Sequence, residues 1–136
     1  TPEPSYSLEE RDMVYATLVF IAKLLTENGA NVIIDATGNL RRYRDEARKQ
    51  IPRFAEAYIR CPLNICIERE SKRGITSYAP RDIYKKGAMG KSSTVPGLGV
   101  PYEPPLKPDV TVDSEKSSPE ERADRILKTL IERFQL

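Results

Sequence analysis

Two short apolar runs with one charged stretch between them constrain this chain more than any other feature. "NVIIDATGN" holds Val32, Ile33 and Ile34 in unbroken succession, the pattern of a strand buried on both faces. "AEAYIRC", from Ala55 to Cys61, reads as a second strand. Between them Asn39 to Gln50 is charged and helical in pattern. Parallel strands need a crossover of a dozen or more residues, commonly a helix, and this stretch supplies one. The fold class expected is α/β, layered around a parallel sheet.

The flanks extend that frame. Ser7-Leu8-Glu9-Glu10 is a capping box, because Ser and Glu can each satisfy a backbone N–H at a helix start. Met13, Ala16, Thr17, Phe20, Ile21, Leu24 and Leu25 follow at helical spacing, and Asn28-Gly29 can end that helix in a left-handed cap. Pro62 suits the first turn of a helix over Leu63 to Glu70. "DVTVD", Asp109 to Asp113, reads as a third strand. Ser118-Pro119-Glu120-Glu121 caps a last helix with its stripe at Ala123, Ile126, Leu127, Leu130 and Ile131. Ser71 to Pro108 is rich in Gly, Pro and Lys, and so long an irregular segment in a compact domain is a functional lid or is disordered. Residues 1–136 are expected to form a single, partial domain with a lid at about 71–108.

With 136 residues, 39% hydrophobic and 31% charged, the chain can bury a core. A net charge of +2 is too small to suggest nucleic-acid binding. There is no histidine and there are two cysteines, Cys61 and Cys66. That excludes a Cys/His zinc site and a Ser-His-Asp triad. Catalysis must rest on carboxylates, cations, or a metal with oxygen ligands. Free thiols, no signal peptide and no membrane-spanning run make a cytoplasmic location the expectation.

"IYKKGAMGKSS", Ile83 to Ser93, ends like a phosphate-binding loop. The full motif needs Gly where Lys85 stands, and a buried strand before it, where Pro80, Arg81 and Asp82 stand. Asp35, directly after the apolar run, is the pattern that holds magnesium in phosphate-handling proteins; a helix cap is its structural alternative. Arg41, nearest the strand end, is the one arginine of the 39–50 helix placed near a ligand. Lys85, Lys86 and Lys91 could close over a phosphate, or simply line a surface loop.

Together these stretches resemble the adenylylsulfate kinase family, from about Tyr6 to Leu130. "IYKKGAMG" is similar to the family's Leu-Tyr-Lys-Lys-Ala-Arg-Ala-Gly lid. "VPYEPPLKPDVTVD" resembles its Pro-Tyr-Glu-x-Pro segment. "YSLEER…IAKLLTENG" resembles its Phe-Ser-x-x-Asp-Arg…Lys-Leu-Leu-x-x-Asn-Gly helix. The resemblance implies a three-layer P-loop kinase fold, ATP and adenylyl sulfate as substrates, Mg2+ with the ATP, and a homodimer. It places Tyr6 near the substrate adenine, Arg11 on the anionic part of adenylyl sulfate, Lys85 and Lys86 as catalytic lid lysines, and Arg69 near ATP. Thr37 and Asn39, where the family has Ile-Ser-Pro, join Arg41 and Lys91 as expected substrate contacts; Asp35, where the family usually has a small residue, is expected from its own position after the apolar run to be metal ligand and catalytic residue.

The departures are specific. The family's Asn after the helix arginine is Val14 here, and its following Arg-Arg pair is Ala16-Thr17. Its Phe-Thr-Gly-Ile-Asp stretch reads Val95-Pro96-Gly97-Leu98-Gly99, and the lid carries extra residues around Gly74 to Pro80. The family's opening strand, phosphate-binding loop, helix and second strand have no counterpart in 1–136. The expectation is therefore a kinase sequence lacking its N-terminal strands, inactive by itself. The alternatives are a P-loop kinase for another small anionic nucleotide-like metabolite, or a non-catalytic nucleotide-binding remnant.

Overall fold

The computed structural model describes residues 5–73, 82–90, 92 and 94–136. They divide into two compact units, Thr1–Phe54 with Pro101–Pro104, and Ala55–Val100 with Pro105–Leu136.

The first unit is a pair of helices and the segments that brace them. Helix α1 spans Leu8–Glu27 and α2 spans Arg41–Gln50. The Ser7 hydroxyl accepts the Glu10 N–H at 3.2 Å, as the capping box predicts. The returning Glu10 carboxylate reaches the Tyr6 N–H instead of that of Ser7, at 2.5 Å. At the other end Gly29 takes φ +83°. Its N–H donates to Thr26 O, and the Ala30 N–H donates to Leu25 O. This pair of bonds is a Schellman motif, and it satisfies carbonyls the helix end would otherwise orphan. Val19 and Ala22 of α1 are buried, as are Tyr43 and Ala47 of α2 and Ile51 just beyond it.

The second unit is built on a two-stranded parallel sheet. Strand β1 is Ala57–Arg60 and β2 is Val110–Asp113, with Ala57 opposite Val110 and Arg60 opposite Asp113. Helices α3 (Leu63–Lys72) and α4 (Ile83–Ala88) lie between them in sequence, and α5 (Pro119–Phe134) follows. Alternation along β2 buries Val110 and Val112 and leaves Thr111 and Asp113 less covered. The Glu56 N–H donates to Asp109 at 2.7 Å, and Arg133 of α5 pairs with the same carboxylate at 2.9 Å. Ser118 and Glu121 complete a capping box at the start of α5. Among the described residues no helix is long and apolar enough to cross a membrane.

Three sequence expectations are corrected. Val32–Ile34 forms no strand, and Ile33 is 93% exposed. A strand needs a neighbour to take its N–H and C=O groups, and none of the described residues pairs with this run. The parallel crossover is accordingly β1–α3–α4–β2 and does not include residues 32–34. The 71–108 segment is also not irregular throughout, since α3 continues to Lys72 and α4 occupies Ile83–Ala88. Its Pro101–Pro104 stretch belongs to the first unit. Gly74 to Pro80 lies outside the described residues.

Candidate functional site

The candidate residues fall into two sets, one in each unit. In the first, the loop from Asp35 to Leu40 is held on both sides. Gly38 adopts φ +49°, and a Cβ there would lie 3.3 Å from the Arg44 side chain, so this position favours glycine twice over. The Gly38 N–H donates to the Tyr15 hydroxyl at 2.8 Å. Tyr15 stacks on Tyr43 with ring centroids 4.2 Å apart. The Tyr43 hydroxyl in turn donates to Asp12 at 2.6 Å, and Arg42 also pairs with Asp12. Burial pushes the Tyr43 phenol above its ordinary pKa, and its bond to Asp12 pushes the same way.

The other side of the loop rests on Pro101–Pro104. Arg44 donates to Gly38 O and, at 2.6 Å, to Glu103 O. The Glu103 N–H donates to Asn39 O at 2.8 Å. The Glu103 carboxylate accepts the Arg41 N–H at 2.8 Å. Helix α2 has no cap from its own N-cap residue, so a carboxylate from 62 residues away along the chain does that work. Neither Asp35 nor Asn39 caps it. Asn39 is 2% exposed. Its Nδ2 donates to Pro101 O at 3.1 Å, and its Oδ1 has no hydrogen-bond partner.

This bracing leaves Asp35, Ala36 and Thr37 exposed. Arg41 is largely a brace, with Nη1 donating to Pro104 O at 3.2 Å. Tyr6 and Arg11 form a local pair, in which the Arg11 Nε donates to Tyr6 O at 3.2 Å. The Arg11 guanidinium lies 5.9 Å from the Tyr6 ring centre, within cation–π range. It extends from the first turns of α1, where anions are favoured.

In the second unit Arg69 ties α3 to the end of β2. Its two Nη atoms donate to the Ser114 hydroxyl at 2.6 Å and the Ser114 carbonyl at 2.7 Å. Lys85 and Lys86 are exposed on α4. Lys91 lies outside the described residues. No group of three His, Cys, Asp or Glu that could cage a metal occurs among the described residues. Asp35 alone fits the mode in which Mg2+ is carried by substrate phosphates and takes one or two carboxylates from the protein.

The sequence reading did not single out Tyr15, Tyr43, Asp12, Arg44 or Glu103. Glu103 was within reach, because it sits in the quoted Pro-Tyr-Glu-Pro stretch. A tyrosine at a helical position reads as ordinary core, so Tyr15 and Tyr43 carried no such signal.

A family model described as Adenylylsulphate kinase matches residues 2–113. An adenylyl-sulfate kinase of Rippkaea orientalis is 35% identical over 127 residues, which cover 93% of this chain and 65% of that protein. One from Halothermothrix orenii is 31% identical over 133 residues, covering 98% of this chain and 67% of that protein. The structure of the Mycobacterium tuberculosis APS kinase in complex with AMPPNP and APS superposes with TM-score 0.76 at 25% identity. That superposition covers 93% of this chain and 69% of the mycobacterial one. The chain thus spans about two thirds of the length of these relatives, and it shares their P-loop kinase fold.

Proposed function

The chain belongs to the adenylylsulphate kinase family, and we propose that its protein transfers the ATP γ-phosphoryl group to the 3′-hydroxyl of adenylyl sulfate. The family match over residues 2–113 carries this reading. The mycobacterial neighbour, solved with AMPPNP and APS, supports both substrates. There is little covalent chemistry for such a protein to perform, so positioning and charge neutralisation supply most of the catalysis.

In this reading the first unit's residues serve the acceptor. Tyr6 offers its exposed ring to the adenine, and Arg11 its guanidinium to the sulfate–phosphate anion. Thr37, on the exposed side of the braced loop, donates a hydroxyl. Asn39 and Arg41 hold that loop. Lys91, outside the described residues, is assigned to the acceptor as a further cation. Asp35 would hold the magnesium ion, which when bound neutralises phosphate charge. Arg69 serves ATP, while Lys85 and Lys86 meet the charge that develops on the transferring group. The protein acts in the cytoplasm, as a homodimer.

A second reading, a different small anionic acceptor, is favoured by α1 itself. Val14, Ala16 and Thr17 stand where the family has Asn and an Arg pair, and all three are exposed. Competitive turnover by the full encoded protein separates the two. Adenylyl sulfate should win over other nucleotide-like acceptors, with Arg11→Ala mainly raising its KM and Lys86→Ala mainly lowering kcat. A better acceptor in the panel would replace adenylyl sulfate, and unchanged kinetics in both variants would remove these two residues from the site.

A further inference from the structure

Helix α4 carries Lys85 and Lys86, and a residue of α3 makes its start. The first N–H groups of a helix have no partner inside it, and the N-cap side chain commonly takes one from extended backbone. Asp82, the N-cap of α4, sits instead in the left-handed region at φ +57° and makes no side-chain cap. The Ile83 N–H donates to Glu70 Oε1 at 3.4 Å. The same oxygen lies 3.6 Å from Arg73 Nη2. The Glu70 side chain is 9% exposed, and a carboxylate so covered needs partners of this kind. The last turn of α4 is held differently. A Cβ on Gly87 would lie 3.5 Å from Val95 Cγ2 and 3.8 Å from Leu98 Cδ1, so this end packs on the 95–98 turn, whose Val95 is buried. A cleft of about 340 Å3 is lined by Cys66, Arg69, Glu70 and Arg73 together with Ile83 and Tyr84 of α4. Packing thus fixes the C-terminal end of α4, and the Glu70 carboxylate fixes the other.

We propose that Glu70 is a positioning residue, whose cap on Ile83 sets the direction in which Lys85 and Lys86 leave α4. The two lysines follow Ile83 directly after Tyr84, in the turn whose first N–H Glu70 holds. Without the cap that turn frays while the Gly87 end stays docked, and the lysines sample other directions. The inference rests on the role proposed above for these lysines at the transferring phosphoryl group. A cation that meets charge developing in the transition state has to be preplaced. Losing the cap therefore lowers kcat and leaves ground-state binding of both substrates nearly intact.

The full encoded protein is compared with its Glu70→Ala and Glu70→Gln variants by amide hydrogen exchange and by steady-state kinetics on the best acceptor of the panel above. Gln keeps an oxygen for the Ile83 N–H and gives up the ion pair with Arg73. The Lys86 and Met89 amides close the turns of α4 on Asp82 O and Lys85 O. In Glu70→Ala they should exchange several-fold faster, while the Asp109 amide, bonded to Glu56 O at the sheet, stays unchanged. The same variant should lose about tenfold in kcat, with both KM values nearly unchanged. Glu70→Gln should stay close to wild type in both measurements. Adding Glu70→Ala to Lys86→Ala should lower kcat no further. Exchange in α4 that is unchanged, or that quickens equally at Asp109, would overturn the cap, and so would a Gln variant as impaired as Ala. Faster exchange with unchanged kcat, or a loss that adds to that of Lys86→Ala, would overturn the positioning role. Poor use of adenylyl sulfate by the wild type would remove the acceptor assignment alone, because exchange needs no substrate and kcat is read with whichever acceptor works.

Discussion

Tyr15 shows how much of the candidate acceptor loop depends on a single hydroxyl. Its ring is fixed by the stack on Tyr43, and Tyr43 is fixed by Asp12. The oxygen is thereby aimed at one backbone N–H, that of Gly38. Gly38 cannot satisfy that N–H within a helix or strand, because the loop around it belongs to neither. Tyr15→Phe keeps the stack and removes only the acceptor. A hydrogen bond of this kind is worth about 1 kcal/mol net, so the loop carrying Asp35 and Thr37 should remain folded and sample other positions. Steady-state kinetics on the full encoded protein should then show the acceptor KM rising up to about tenfold, with kcat and the ATP KM nearly unchanged. A melting temperature within a few degrees of wild type, with no change in KM, would reduce Tyr15 to ordinary packing.

At the scale of elements, what could be read from the sequence was what is decided locally. The α1 stop at Asn28-Gly29 and the Ser118 box of α5 each depend on side chains within a few residues, and both form as their spacing implies. Removing the hydroxyl in Ser118→Ala should cost about 1 kcal/mol, measurable by denaturant unfolding as a lower midpoint at unchanged slope. Strands β1 and β2 were also legible, because each supplies the other's partner. The run at residues 32–34 is more apolar than either, but no described strand lies beside it. Composition cannot reveal a missing neighbour, and the long-range cap from Glu103 to α2 was hidden for the same reason. The sheet carries its own pH signature. Arg60 and Asp113 face each other at the ends of the two strands and pair at 2.8 Å. The Arg60 guanidinium, and then the Glu115 N–H, hold the Asp113 carboxyl below its usual range. The unfolded chain binds that proton at higher pH than the folded one. The stabilisation is therefore present above the ordinary Asp range and is lost as pH falls through the lowered, folded value. Arg60→Ala should move the Asp113 titration, followed by carboxyl NMR, back up toward ordinary Asp. An unmoved titration would mean that the backbone N–H alone sets it.

Across the whole molecule, the decisive question is where a triphosphate could be gripped. A P-loop presents successive free amide N–H groups at a helix start, with a lysine and a Ser or Thr beside them. Three of the described helix starts are already spoken for. Ser7 caps α1, the Glu103 carboxylate caps α2, and Ser118 with Glu121 caps α5. Helix α3 begins without a side-chain cap, but Pro62 lacks an N–H and no Gly-Lys sequence adjoins it. The one Gly-x-x-Gly-Lys-Ser stretch begins at Gly87, in the last turn of α4. It therefore follows a helix C-terminus, where carbonyls rather than N–H groups are exposed and the dipole repels phosphate. Two of its described amides are also engaged, with Met89 N–H on Lys85 O and Gly90 N–H on Gly87 O. The turn at Gly97-Leu98-Gly99 directs its three N–H groups to Val100 and Val95 carbonyls. Helix α4 also begins without a side-chain cap from Asp82, but the Glu70 carboxylate takes its Ile83 N–H at 3.4 Å and would repel a phosphate, so no described helix start is a phosphate nest. The polypeptide 1–136, assayed by itself with ATP, Mg2+ and adenylyl sulfate, should give no turnover above background and bind ATP weakly. Fusing it behind a strand and a Gly-x-x-x-x-Gly-Lys-Ser/Thr loop that opens a helix should restore ATP-dependent phosphorylation, because such a loop presents free amide N–H groups to the phosphates. Robust turnover by 1–136 alone would show that some other arrangement of this chain grips the triphosphate. A folded but inactive fusion would shift the deficit to the exposed Val14, Ala16 and Thr17 of α1.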